Sequence, residues 1–179
     1  KGDLCNLSFV NQVFKKIHDY ENLSAVIHFA GLKSVSESVD NPLNYWRSNV
    51  SGTINLLKTM ESFNCNNIIF SSSATIYSNK EKPPFKEDSL IGPMNPYGNT
   101  KLTIEKILED IFNSFPDKWR ICNLRYFNPI GAHPSGLIGE NPVGKPNNIF
   151  PLLLDVASSK LGKFKVFGKD WDTPDGTCI

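Results

Sequence analysis

The chain has 179 residues, room for one buried core and too few for two large domains. Hydrophobic residues make up 40% of it and charged residues 21%, an ordinary globular balance that excludes a disordered polymer. Nineteen basic against eighteen acidic side chains leave a formal charge of +1, so no nucleic-acid partner is expected.

Apolar stretches such as Ala25–Ala30 break off within a few residues, far short of the ~20 that a membrane-spanning helix needs. The opening Lys1-Gly2-Asp3 has no charged-then-apolar leader. The four cysteines, Cys5, Cys65, Cys122 and Cys178, show no C-x-x-C spacing, and His18, His28 and His133 lack ligand spacing. The expectation is a cytoplasmic protein with reduced thiols and no metal.

Val10, Val13, Phe14 and Ile17 fall at helical spacing, with Ser8 as the cap. Ser24–Ala30 reads as a short apolar strand of the kind buried in parallel sheets. Asn41-Pro42 has the form of a helix start, and Leu43, Trp46, Val50, Ile54 and Leu57 continue an amphipathic helix to about Phe63. A strand follows at Asn67–Ser72, then a Pro-rich loop over Lys80–Pro96, long enough to suggest function or motion. The pattern predicts a third helix over Tyr97–Phe115 and a strand over Arg120–Phe127. Asn128–Asn148 is irregular, and a helix over Ile149–Lys160 and a strand over Phe164–Phe167 complete the chain.

Strand and helix alternating in this rhythm predict a doubly wound α/β fold, with parallel strands, right-handed crossovers and helices on both faces. The phosphate-binding glycine fingerprint of dinucleotide sheets belongs between a first strand and a first helix. No such cluster occurs in the first twenty residues. Either the fold binds no dinucleotide or the chain begins after that element.

Tyr97-Gly98-Asn99-Thr100-Lys101 carries the sharpest chemical signal. A Tyr and a Lys four apart on a helix project from one face. A free phenol, with a pKa of about 10, is a poor base, and a nearby ammonium favours its phenolate. The spacing alone is weak, because most such pairs are solvated surface residues. Ser71-Ser72-Ser73 strengthens it by ending a predicted parallel strand, where open α/β sheets place their ligands. Ser73 can offer a hydroxyl to a substrate oxygen beside the phenol.

These motifs, with VIHFAGLK (Val26–Lys33), SSSATIY (Ser71–Tyr77), NPYGNTK (Asn95–Lys101), LRYFNPIGAHPSG (Leu124–Gly136) and PNN (Pro146–Asn148), resemble the extended short-chain dehydrogenase/reductase family. FGKDW and DGT follow in the same order, and within the family the resemblance is to its UDP-glucose 4-epimerase branch. It implies a Rossmann-like fold, NAD as cofactor, and 4-epimerisation between UDP-glucose and UDP-galactose through a 4-keto sugar. Tyr97 is then the catalytic base, Lys101 its electrostatic partner and a ribose ligand, and Ser73 a hydrogen bond to the sugar 4-oxygen.

The resemblance further implies NAD contacts from Asp3, Leu4, Phe29, Ala30, Gly31, Leu32, Lys33, Ser48, Tyr126 and Phe127. Substrate contacts fall to Lys33, Ser73, Ala74, Thr75, Tyr97, Asn128, Asn147, Asn148, Ile149, Lys165, Val166 and Phe167. Ser48 stands where the family has an asparagine, so a shorter side chain occupies that contact position. Residues 1–130 correspond to part of the NAD-binding domain and 131–179 to the start of the UDP-sugar region. A homodimer through Leu43–Phe63 and Tyr97–Phe115 is expected.

Alternatives are an epimerase of N-acetylhexosamine or uronic sugars, or an internal piece that is catalytically incompetent by itself. A nucleotide-sugar 4,6-dehydratase needs an extra acid and base after the serine. Ala74 and Thr75 supply no carboxylate there.

Overall fold

The computed structural model describes residues 1–140, 146, 148–166 and 168–177. They fall into two compact units, Lys1–Phe127 and Asn128–Ile179. The first unit opens with helix α1 (Leu7–His18), capped by Asn6, whose Oδ1 accepts the Phe9 amide at 3.0 Å. The cap is therefore Asn6, and Ser8 lies inside the helix. Strand β1 is only Val26–His28, because its partner strand pairs with it at Ile68–Phe70 alone. A short helix that periodicity did not indicate, α2 (Val35–Asp40), follows on a Ser34 cap.

Pro42 opens α3 (Pro42–Tyr45), which runs through a π-helical turn (Trp46–Ser51) into α4 (Gly52–Ser62). The amphipathic helix read from the sequence is present, with one widened turn at its middle. Such turns cluster at functional sites. Strand β2 (Asn67–Ser73) ends in a 3-10 turn (Ala74–Ile76). Helix α5 (Pro96–Ser114) starts on Asn95, whose Oδ1 accepts the Gly98 amide at 2.8 Å, with Pro96 in the first turn. Strand β3 (Arg120–Tyr126) closes the unit.

The three strands are parallel in the order β1-β2-β3, with Ser73 in register with Tyr126. Both crossovers step the same way along the sheet, so right-handedness puts their helices on one face. That face is the core: Val10, Phe14, Leu56, Leu57, Met60, Ile104, Leu108 and Trp119 pack around Ile68 and Phe70. The opposite row is open, with Ile27 61% exposed. Within this unit the helices expected on both faces thus stand on one. The Pro-rich segment is tied rather than loose: Tyr77 bridges Ile91, and Glu81 accepts the Ser89 hydroxyl at 3.0 Å and the Leu90 amide.

In the second unit, α6 (Ile149–Ala157) stops three residues short of the expected Lys160. Ser159 turns left-handed at φ 60°, and the Lys160 amide folds back to the Asp155 carbonyl at 2.8 Å. Phe164–Val166 form no strand, since no described backbone pairs with them. A strand without a partner has no hydrogen-bonding reason to persist. Among the described residues no helix is long and apolar enough to cross a membrane.

His28, 3% exposed at the end of β1, donates from Nε2 to Thr53 Oγ1 at 2.8 Å, while that hydroxyl donates onward to the Asn49 carbonyl. Burial, with the Lys101 charge as a smaller cause, lowers its pKa from 6.5 to about 4. Between those values only the unfolded chain takes the proton, so stability is full above pH 6.5 and drains away toward pH 4. The loss amounts to about 3 kcal/mol. Urea midpoints of the full-length gene product are expected to fall over that window, and to fall less in His28→Gln; equal slopes would contradict this assignment.

Candidate active site

The carboxyl end of β2 brings the chemistry together. Lys101, 5% exposed on α5, donates from Nζ to the Ser71 carbonyl at 2.7 Å. Its ammonium lies 4.8 Å from the Phe70 ring centroid and 5.8 Å from that of Tyr97. Burial lowers the Lys101 pKa from 10.5 to about 8. Tyr97 is 9% exposed, and the buried ring of Tyr45 meets it edge-on at 6.5 Å. The Tyr45 hydroxyl accepts the Ser34 amide and donates to Glu37, both at 3.0 Å, so one side chain braces the Tyr97 ring and the loop after β1.

Ser73, also buried, accepts from the Thr75 amide at 3.2 Å and the Thr75 hydroxyl at 3.0 Å, which fixes its oxygen at the mouth of the turn. Ala74 and Thr75 form that turn beside it. Gly98 allows α5 to approach: a Cβ there would sit 2.7 Å from the Thr75 carbonyl oxygen and 2.9 Å from Pro93. The residue between Tyr97 and the rest of its helix is therefore glycine because the Ser73 turn presses on it.

Asn49, on the π-helical turn and 2% exposed, links the remaining parts. Its Oδ1 accepts the Leu32 amide at 2.8 Å, and its Nδ2 donates to the Leu32 carbonyl at 3.0 Å and to Thr100 Oγ1 at 3.2 Å. Gly31 is the close-approach point, where a Cβ would stand 3.0 Å from Asn49 Oδ1. Sequence reading singled out the neighbouring Ser48, which is half-buried, and missed Asn49. Its signal was a polar residue on the apolar stripe of a helix.

The other expected contacts distribute as follows. Phe29 and Tyr126 approach across the sheet end with ring centroids 6.0 Å apart, and Phe127 stacks on Tyr77 at 6.3 Å. Ala30 and Lys33 are exposed on the same loop as Gly31 and Leu32. Asp3 and Leu4 rest on α4 and the turn before it: Asn55 donates to the Leu4 carbonyl at 3.1 Å, and Arg47 pairs with Asp3 at 3.6 Å. Asn128, Asn148, Ile149, Lys165 and Val166 belong to the second unit, and Asn147 and Phe167 lie outside the described residues.

Comparison with known proteins covers nearly the whole chain. The sequence model of the NAD dependent epimerase/dehydratase family matches residues 1–178. The chain is 50% identical to a UDP-glucose 4-epimerase of Yersinia enterocolitica, over 99% of this chain and 52% of the relative. It is 48% identical to a UDP-glucose 4-epimerase of Bacillus subtilis, over 100% and 51%. A crystal structure of the Bifidobacterium longum UDP-glucose 4-epimerase in complex with NAD+ and UDP superposes with a TM-score of 0.91 at 46% identity, over 99% of this chain and 52% of that one. The chain thus spans about half the length of the curated relatives it matches. The Rossmann-like α/β fold is common to them.

Two expectations follow from the geometry. Gly98→Ala forces α5 away from the Ser73 turn and should destabilise the full-length gene product by about 1–3 kcal/mol, the scale of overpacking; an unchanged urea midpoint would contradict the contact. The buried Lys101 charge is the second. Below pH 8 the ammonium is present in folded and unfolded chain alike and the folded state bears its desolvation, whereas from 8 toward 10.5 the folded chain sheds the proton first. Lys101→Met, which loses the Ser71 bond but also that burden, should be more stable at pH 7 by about 2 kcal/mol. Denaturation across pH should show this advantage shrinking toward 10.5; a constant difference would contradict it.

Proposed function

The chain belongs to the NAD dependent epimerase/dehydratase family, and on that premise we propose that it carries the catalytic residues of an isomerase interconverting UDP-glucose and UDP-galactose. The observation that bears most weight is the convergence of Ser73, Tyr97 and Lys101 at the carboxyl end of one parallel strand. Parallel sheets bind their ligands at that end.

The residues present suit a dinucleotide. The Lys101 ammonium uses one of its three hydrogens, on Ser71, among the described residues, and the Phe29–Lys33 loop is exposed apart from the half-buried Leu32. In this reading Phe29–Lys33, Ser48, Tyr97, Lys101, Tyr126 and Phe127 hold NAD, with Asp3 and Leu4 toward its adenine end. Bound there, NAD supplies a reversible hydride acceptor for the hexose C4.

The protein's own part is proton transfer and orientation. Tyr97 as phenolate takes the proton of the 4-hydroxyl and later returns it. The Lys101 ammonium offsets the negative charge on the Tyr97 oxygen before the proton is taken and again once it is returned. Ser73 donates its hydroxyl hydrogen to the sugar 4-oxygen, which its two contacts from Thr75 leave it free to do. The 4-keto sugar turns over while its UDP stays bound, so both faces of C4 are served in one pocket. Ala74 and Thr75 would hold the UDP-sugar beside Ser73, with Lys33 reaching it from the cofactor side.

The same reading makes the protein a cytoplasmic homodimer with no nucleic-acid partner. The homodimer is supported by an apolar groove between α4 and α5, lined by Ile54, Leu57, Ile107, Ile111 and Phe115. Tyr97→Phe in the full-length gene product is expected to lower kcat for UDP-galactose to UDP-glucose by about 100- to 10,000-fold, the range of a lost general base. Turnover at the parental rate would refute the role.

A further inference from the structure

Glu105 is a carboxylate on the buried stripe of α5, one turn beyond Lys101 and 7% exposed. An ion in that position needs full compensation. Three donors provide it. Arg125 of β3 places Nε 3.2 and 3.3 Å from the two carboxylate oxygens and Nη2 2.9 Å from Oε2, while the Ser72 hydroxyl donates to Oε1. Ser72 and Arg125 are register partners across β2 and β3, so the sheet presents both to one acid.

Arg125 also reaches further. Its Nη1 donates to the Glu87 carbonyl at 2.7 Å and to the Tyr77 hydroxyl at 3.2 Å, with the guanidinium 5.3 Å over the Tyr77 ring. A planar fork can serve a carboxylate bidentately and still extend a third arm, which an ammonium cannot do with the same geometry. One ion pair therefore ties α5, the end of β2, β3 and the segment after Tyr77.

The second cation near Glu105 is Lys101, which lies at helical contact spacing from it. Yet Lys101 bonds to Ser71, and no carboxylate oxygen of the described residues lies within 4.0 Å of it. Resting on the reading of Tyr97 and Lys101 given above, we propose that Glu105 and Arg125 form a positioning pair for the active site. Arg125 occupies the carboxylate so that the Lys101 charge stays directed at the strand end, and Glu105 grips Ser72 so that the adjoining Ser73 keeps its place. The pair touches no reacting atom; it acts through Lys101 and Ser73.

The test uses the full-length gene product, with kcat and KM for UDP-galactose measured beside the near-UV circular dichroism of each variant. Arg125→Met strips Glu105 of its partner, and kcat should fall by about 100-fold while KM moves by less than about threefold. Adding Glu105→Gln removes the stray charge and should restore at least about tenfold of the loss. Arg125→Lys, which keeps a cation and serves as the readout should Arg125→Met fail to fold, should still lose about tenfold in kcat. A parental kcat in Arg125→Lys, or a double variant no better than Arg125→Met, overturns the pairing. Tyr97→Phe run alongside separates the two readings: if it stays active the proposed function fails, and if it is inactive while the Arg125 variants turn over normally only the pairing fails.

Discussion

The arrangement depends on a single buried positive charge. The Lys101 ammonium sits against the Phe70 ring at the end of β2 with the Ser71 carbonyl as its hydrogen-bond acceptor. Burying a cation this way is unfavourable, and burial accordingly lowers its pKa to about 8. The surroundings explain why it persists. Glu105, the nearest acid on its own helix, is engaged by Arg125, and His28 nearby is held neutral. A cation kept uncancelled at a strand end can offset a negative charge placed beside it.

The scaffold serves that charge by fixing three approaches to it. Asn49 clamps the loop after β1 and reaches Thr100 on α5. Gly98 lets the start of α5 lie against the Ser73 turn. Tyr45 braces the Tyr97 ring from its edge while holding Ser34. Each contact joins a piece of the site to a different element, so a small shift in any element is felt at the phenol. Asn49, Gly98 and Tyr45 thus set where Ser73, Tyr97 and Lys101 stand.

Much of this was legible in the sequence, for identifiable reasons. The helix of Tyr97 and Lys101 announced itself by an apolar stripe, and it begins one residue from where it was expected. Strand β2 is similarly clear, since Ile68, Ile69 and Phe70 form a short apolar run before three serines. What periodicity could not supply were partner-dependent features. Strand β1 shrinks to three residues because pairing, not composition, sets its length, and Phe164–Val166 have no pairing partner among the described residues. The π-helical turn leaves no mark in the apolar spacing. Asn49, Glu105 and Arg125 were passed over because each reads in isolation as an ordinary polar residue, and only the fold brings their partners within reach.

The central claim is that this constellation works at the hexose C4 and leaves every other carbon untouched. The most direct measurement is label transfer: the full-length gene product is given UDP-galactose deuterated at C4, and the UDP-glucose formed is analysed by mass and NMR. The account predicts that the deuterium stays at C4 in the inverted product and that the labelled substrate reacts more slowly. Exchange of the label into solvent, or inversion at C4 with no isotope effect on the chemical step in single-turnover measurement, would contradict it.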